Sequence, residues 1–178
     1  MEHSKSVTRI FEGRVLKLRV DNVTLADGQP ATREVVEHPG AAAIVPLLPN
    51  NRVVLVRQYR YPIKLELLEI PAGTLEEGEA PDDCAVRELM EETGYACEEL
   101  TKISECYVAP GYSTEKIHFY LARKLAKSIA KPDEDERIKV QIIPLPEVLG
   151  RIRKGEICDA KTICAIFRLL DYVKPDEY

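Results

Sequence analysis

Between Gly73 and Tyr95 the chain reads GTLEEGEAPDDCAVRELMEETGY, and this run limits its possible folds more than any other. Pro81 stands where the first turn of a helix tolerates a residue without an N–H, Asp82 and Asp83 favour the positive end of a helix dipole, and Gly94 stands where the chain would leave the helix. The pattern predicts a helix over Pro81 to Thr93. On it Glu88, Glu91 and Glu92 recur at spacings of three and four and, at about 100° per residue, share one sector, with Ala85, Val86 and Leu89 in the adjoining one. Like charges so placed cost about a few tenths of a kcal/mol even when exposed, so water or a cation must neutralise them. Hard divalent cations such as Mg²⁺ take oxygen ligands of this kind. An acidic helix face taken alone, however, is usually just solvated.

The rest of the chain reads as strands with helices gathered late. Strand-like segments run from Val7 to Phe11, Leu16 to Val20, Val23 to Leu25 and Thr32 to Glu37, with Asp27-Gly28 as a hairpin turn. After His38-Pro39-Gly40 come Ala42 to Leu48, an Asn50-Asn51 turn, Val53 to Tyr59, and Leu67 to Ile70 ending at Pro71. Beyond the predicted helix follow Ile103 to Val108, Ile117 to Ala122 and Ile138 to Ile143 as strands. Two amphipathic helices close the chain, from about Pro146 to Lys154 and about Ala160 to Tyr172, the second capped by Asp159. This order predicts an α+β fold with two parts: residues 1–39, a small antiparallel sheet that needs a covering surface, and residues 40–178, the main domain.

Composition narrows the functional classes. With 25 Lys and Arg against 30 Asp and Glu, the net charge of −5 provides no general attraction for nucleic acid or an anionic membrane, so a polyanionic substrate must meet local basic groups or metal ions. The polar Met1 to Val7 has no apolar signal core, and a cytoplasmic protein is expected. The five cysteines form no C-x-x-C pair and are expected to be inert, reduced thiols. His3, His38 and His118 are too scattered for a zinc site.

The run from Gly73 also resembles the signature of the Nudix hydrolases, G-x5-E-x7-R-E-U-x-E-E-x-G-U with U apolar. Gly73, Glu79, Arg87, Glu88, Leu89, Glu91, Glu92 and Gly94 match it, and Tyr95 puts an aromatic at the final U. Its seven fixed letters would coincide by chance at roughly one starting point in 10⁸, which reverses the preference for a merely wet helix. The resemblance implies an α/β/α sandwich with a mixed sheet, holding two or three Mg²⁺ (or Mn²⁺) per site. It implies Glu88 and Glu92 as principal metal ligands, Glu91 contributing or orienting water, Arg87 positioning the acids, and the Ala72 carbonyl joining the metal shell. Gly73 would permit a conformation or close approach that a side chain blocks, and Glu79 would be structural.

Three further passages resemble the branch of that family acting on ADP-ribose and ADP-sugars. Pro110-Gly111-Tyr112-Ser113-Thr114-Glu115 follows the signature at a matching distance, which makes Pro110 and Glu115 substrate-site candidates. Val56-Arg57-Gln58-Tyr59-Arg60-Tyr61 leads into the signature, and Arg57 and Arg60 are candidates to grip a diphosphate, since guanidinium pairs well with phosphate oxygens. Asp133-Glu134-Asp135-Glu136 lies where the branch carries its base, and alignment on Ile138 and Val140 makes Glu134 the base and Glu136 a metal ligand. A slip of one residue would transfer those roles to Asp133 or Asp135.

The resemblance thus implies hydrolysis of ADP-ribose to AMP and ribose 5-phosphate, in a homodimer built through the N-terminal strands. Alternatives within the family are GDP-mannose, other nucleotide-sugars or oxidised nucleotides as substrate. An alternative outside catalysis is an ADP-ribose sensor, although such proteins usually lose the acids that this chain retains at Glu88, Glu91 and Glu92.

Overall fold

The structure is a computed structural model and describes residues 1–128 and 137–174. The chain divides into two compact units, one of residues 1–40 with 106–117, the other of residues 41–105 with the described residues from 118 onward.

The first unit is a three-stranded antiparallel sheet in the order β1-β2-β3, with β1 at His3–Glu12, β2 at Lys17–Thr24 and β3 at Pro30–Glu37. The two segments expected on either side of Asp21-Asn22 are one strand, because β3 pairs continuously from Lys17 to Thr24. The expected hairpin turn is present: Gly28 has φ 86°, a left-handed conformation that suits glycine, and its N–H donates to the Leu25 carbonyl at 3.0 Å. Residues 106–117 dock on the end of β3. Val36 N–H donates to the Tyr112 carbonyl at 2.7 Å, Thr114 N–H donates back to Val36 at 2.9 Å, and Ser113 bridges Val36 in parallel. The Thr114 hydroxyl accepts from the His38 N–H at 2.9 Å. Every residue of β1 is exposed, including Val7 at 50%, Ile10 at 56% and Phe11 at 56%.

The second unit is built on a seven-stranded sheet. Its path is β10-β5-β4-β9-β8, with β4 at Ala41–Leu48, β5 at Arg52–Arg60, β8 at Tyr95–Tyr107, β9 at Lys116–Lys127 and β10 at Lys139–Pro144. Two shorter strands flank it, β6 at Leu65–Glu69 beside β5 and β7 at Ala72–Thr74 beside β4. Side chains alternate between the faces of a strand, yet Ala41 to Leu47 of β4 and Val53 to Val56 of β5 are buried without interruption, so helices must cover both faces. One face, through Ala42, Ile44, Val54, Tyr120 and Ala122, packs on Cys84, Ala85 and Leu89 of helix α1, Pro81–Thr93. Helices α2, Leu145–Arg153, and α3, Ala160–Leu169, bury Val148, Leu149, Ala165, Ile166 and Leu169 and pack on β5, β10 and β4. This is the expected α+β layering. Helix α1 spans the predicted residues, and Gly94 closes it in a left-handed conformation, φ 68°. The last helix ends at Leu169 and runs into a 3-10 turn, Leu170–Tyr172.

All five cysteines are free thiols, as expected, and no helix among the described residues is long and apolar enough to cross a membrane. Ile44, fully buried between sheet and α1, reports on this core. Ile44→Val should lower unfolding free energy by about 0.5–1.5 kcal/mol, seen as a reduced urea midpoint with an unchanged slope.

Candidate functional site

Helix α1 buries charge in its apolar stripe. At about 100° per residue, Cys84, Glu88, Glu92, Ala85 and Leu89 fall on one continuous arc, and all five are buried, Glu88 at 9% exposure and Glu92 at 5%. Glu91 lies at the edge of that arc and is half-buried, while Val86 turns away from Ala85 and Leu89 and is 39% exposed. The acids therefore do not stand beside the apolar sector. Two of the three stand inside it.

The strand exit before α1 accepts them there. Ala72 N–H donates to Glu92 Oε2 at 3.1 Å. Gly73 lies against Glu88, and a Cβ at residue 73 would stand 1.7 Å from Glu88 Oε1, so only glycine leaves that carboxylate in place. The close approach expected from the sequence is the reason for this glycine, since its φ is not positive. The Cys84 thiol faces the Gly73 carbonyl at 3.7 Å and the Thr74 carbonyl at 3.8 Å, and burial pushes it up to about 12, so it stays protonated and inert.

Arg87 ties the acids together. Its Nε and Nη2 donate to the two oxygens of Glu79 at 2.8 and 3.0 Å, and its Nη1 donates to Glu88 Oε1 at 2.6 Å and Glu91 Oε2 at 3.0 Å. Glu79 is thus structural, as expected: it also accepts from the Glu76 N–H at 2.9 Å, which closes the loop before α1. The Arg87 hydrogen bond holds the Glu79 carboxyl down to about 2. One guanidinium stands against three carboxylates in this knot, and Glu92 is a fourth acid nearby on the same helix. Such a set of hard oxygen donors suits a divalent cation, although among the described residues no three His, Cys, Asp or Glu side chains already converge on one point.

A second charged centre lies on the same strand exit, and sequence reasoning missed it. Glu69, 1% exposed, accepts from Arg60 Nε at 2.8 Å and Nη2 at 2.7 Å, and from Lys161. Burial works to raise the Glu69 carboxyl, and the two cations overcome that and hold it below the usual range. The signal was a glutamate inside the apolar run Leu67 to Ile70, which a strand seldom buries without a partner.

The other candidates are distributed as follows. Arg57 is half-buried on β5, opposite Lys139 of β10 and Leu68 of β6. Arg60 carries the Glu69 pair, which occupies the Nε–Nη2 edge of its guanidinium and leaves other N–H donors. Pro110 is exposed and Glu115 half-buried on the loop docked against β3, in the first unit. Glu134 and Glu136, with Asp133 and Asp135, lie outside the described residues.

A family model described as the NUDIX domain matches residues 37–165. The chain is 44% identical over 167 residues to a methanol dehydrogenase activator of Bacillus methanolicus, covering 93% of this chain and 90% of that protein. It is 42% identical over 160 residues to an ADP-ribose pyrophosphatase of Bacillus subtilis (strain 168), covering 89% and 86%. A GDP-mannose pyrophosphatase of Yersinia enterocolitica is 39% identical over 141 residues, covering 74% and 73%. A crystal structure of an ADP compounds hydrolase superposes with a TM-score of 0.87 at 22% identity, covering 98% of this chain and 95% of that one, and bears out the expected fold.

The Arg87–Glu79 pair has a pH signature. Because folding lowers the Glu79 carboxyl from 4.5 to about 2, its contribution is complete above 4.5 and is lost as pH falls towards about 2. Glu79→Gln should cost about 1–2 kcal/mol at neutral pH, with the gap from wild type narrowing across that acid window in urea titrations.

Proposed function

The chain belongs to the NUDIX domain family, and from that premise we propose that it hydrolyses the diphosphate of ADP-ribose to AMP and ribose 5-phosphate, with other ADP-sugars as related substrates. Water adds across one P–O bond of the bridge, and each product keeps one phosphate. The observation that carries this function is the pair of carboxylates, Glu88 and Glu92, buried against Gly73 and Ala72 on the family's own signature helix. Two ADP-ribose pyrophosphatases among the relatives, at 42% and 36% identity, support the substrate.

Glu88, Glu92, the Ala72 carbonyl and Glu136 would hold two or three Mg²⁺ or Mn²⁺ ions. Cations bound there neutralise diphosphate charge and lower the pKa of water. The protein's own task is placement. Arg87 keeps Glu88 and Glu91 in register, and Glu91 contributes to the metal shell or orients water. Arg57 and Arg60 grip the diphosphate, Arg60 through the N–H groups that Glu69 does not use. Pro110 and Glu115 place the substrate from their loop. Glu134 takes the proton of the attacking water, a role open to Asp133 or Asp135 if the register of that stretch slips by one. A protein that only sensed ADP-ribose would have no use for these acids.

The first unit is assigned to dimerisation. A three-stranded sheet has little core of its own, and β1 is an edge strand with Val7, Ile10 and Phe11 half-exposed, a surface suited to a second copy of the chain. Light scattering at micromolar concentration should return a dimer mass; a monomer rejects this assignment.

With Mg²⁺, the protein should release AMP from ADP-ribose, and Glu92→Gln should slow release by about a hundredfold or more, since even residues that only orient metal ligands cost up to about that factor. The same assay on GDP-mannose and an oxidised nucleoside triphosphate settles the substrate. Faster metal-dependent cleavage of either replaces ADP-ribose, and binding without turnover of any of them reinstates the sensor.

A further inference from the structure

We propose that Lys161 and Thr162, on the first turn of α3, are positioning residues for the acidic site, locking the strand exit Glu69 to Gly73 on which that site is built. This rests on the metal and phosphate roles given above and extends them to a part of the chain remote in sequence from the signature.

All five residues of this exit are tied down by groups from elsewhere in the unit. Glu69 takes Arg60 and Lys161. Ile70 N–H donates to the buried Thr162 hydroxyl at 2.9 Å. The Pro71 carbonyl accepts from the Ile44 N–H at 2.9 Å. Ala72 N–H holds Glu92 at 3.1 Å, and Gly73 lies against Glu88. Two of these ties come from the start of α3, and Asp159 organises both: its Oδ2 accepts from Thr162 N at 3.0 Å, from the Thr162 hydroxyl at 2.5 Å and from Lys161 Nζ at 3.0 Å.

The Thr162 hydroxyl works in both directions, donating to Asp159 and accepting from Ile70. Its loss strands a buried N–H one residue before Pro71 and loosens the backbone that carries the Ala72 amide. Lys161 acts through charge. Glu69 and Asp159 are balanced by Arg60 and Lys161, and without the lysine Arg60 must serve both acids. Arg60 is also near enough to feel the charge of Glu92, so its place couples this cluster to the acidic helix. The start of α3 thus sets two things together: where Ala72 holds Glu92, and how far the guanidinium of Arg60 reaches.

The test is Mn²⁺ titration of the substrate-free protein by electron paramagnetic resonance, with thermal unfolding and steady-state kinetics alongside. Lys161→Met should weaken Mn²⁺ binding by about tenfold and raise the KM for ADP-ribose, and Lys161→Arg should restore most of the loss, as expected of a residue that orients metal ligands. Thr162→Val and Thr162→Ser give the same contrast without a change of charge, the serine binding Mn²⁺ as wild type does. If Lys161→Met and Thr162→Val lower the melting temperature but bind Mn²⁺ like wild type, the two residues are only structural and the inference fails. If wild type itself binds no Mn²⁺, the metal reading fails first and takes this inference with it.

Discussion

Burying two carboxylates in the apolar arc of one helix is the constraint around which the second unit is arranged. An ion taken out of water costs several kcal/mol unless its oxygens are matched by donors or cations, and α1 places Glu88 and Glu92 between Cys84, Ala85 and Leu89. Each feature of the surrounding loop addresses that cost. Ala72 offers a backbone N–H, Gly73 offers the absence of a side chain, and Arg87 offers a guanidinium that Glu79 holds in place. A helix with this stripe and no such loop would be unstable. In the proposed function a divalent cation would complete the balance that one guanidinium begins.

Glu69 repeats the principle within the same strand exit. It too is a carboxylate inside an apolar run, and its fork is met by Arg60 while Lys161 closes its open side. Two buried acid centres anchored on one short stretch, at Glu69 and at Ala72–Gly73, require that the connecting backbone be fixed, since a shift at Ile70 or Pro71 would disturb both. The hydrogen bonds from Ile44 and to Thr162 supply that rigidity from opposite directions, one from the central strand and one from the last helix. A site on such a support is held by the core and not by a loop.

Much of this was legible in the sequence, and the parts that were not share a cause. The bounds of α1 followed from Pro81, the two aspartates and Gly94, all local signals acting within a turn of the helix. The signature marked Gly73 as needing either a special conformation or a close approach, and Glu88 against it makes it the second. The depth of Glu88 and Glu92 did not, because the helical wheel gives directions and not what faces them; it grouped Val86 with Leu89 although Val86 points outward. The partnership of Glu69 with Lys161 spans 92 residues and no periodicity announces it. The charged residue within Leu67 to Ile70 marked one end. The other end read only as a helix cap.

The family match leaves out most of the small sheet, although it takes in residues 37–40 and 106–117 of that unit. It begins at Glu37, so β1, β2 and all but the last residue of β3 precede it. Everything that buries a carboxylate in the acidic site lies inside the match, from Glu69 through Glu92 to Lys161. Everything left apolar and exposed on β1 lies outside it. A helix that buries carboxylates needs its charges matched within one rigid core, whereas an exposed apolar edge strand favours a covering surface. The buried acids Glu69, Glu88 and Glu92 and their partners therefore all lie inside the matched range. What the preceding strands add is an exposed apolar edge, and Tyr112, Ser113 and Thr114, next to Glu115, dock on β3 in that same unit. In the proposed function, Pro110 and Glu115 would place the substrate from the unit of the small sheet, whereas the buried acids Glu88 and Glu92 belong to the other unit.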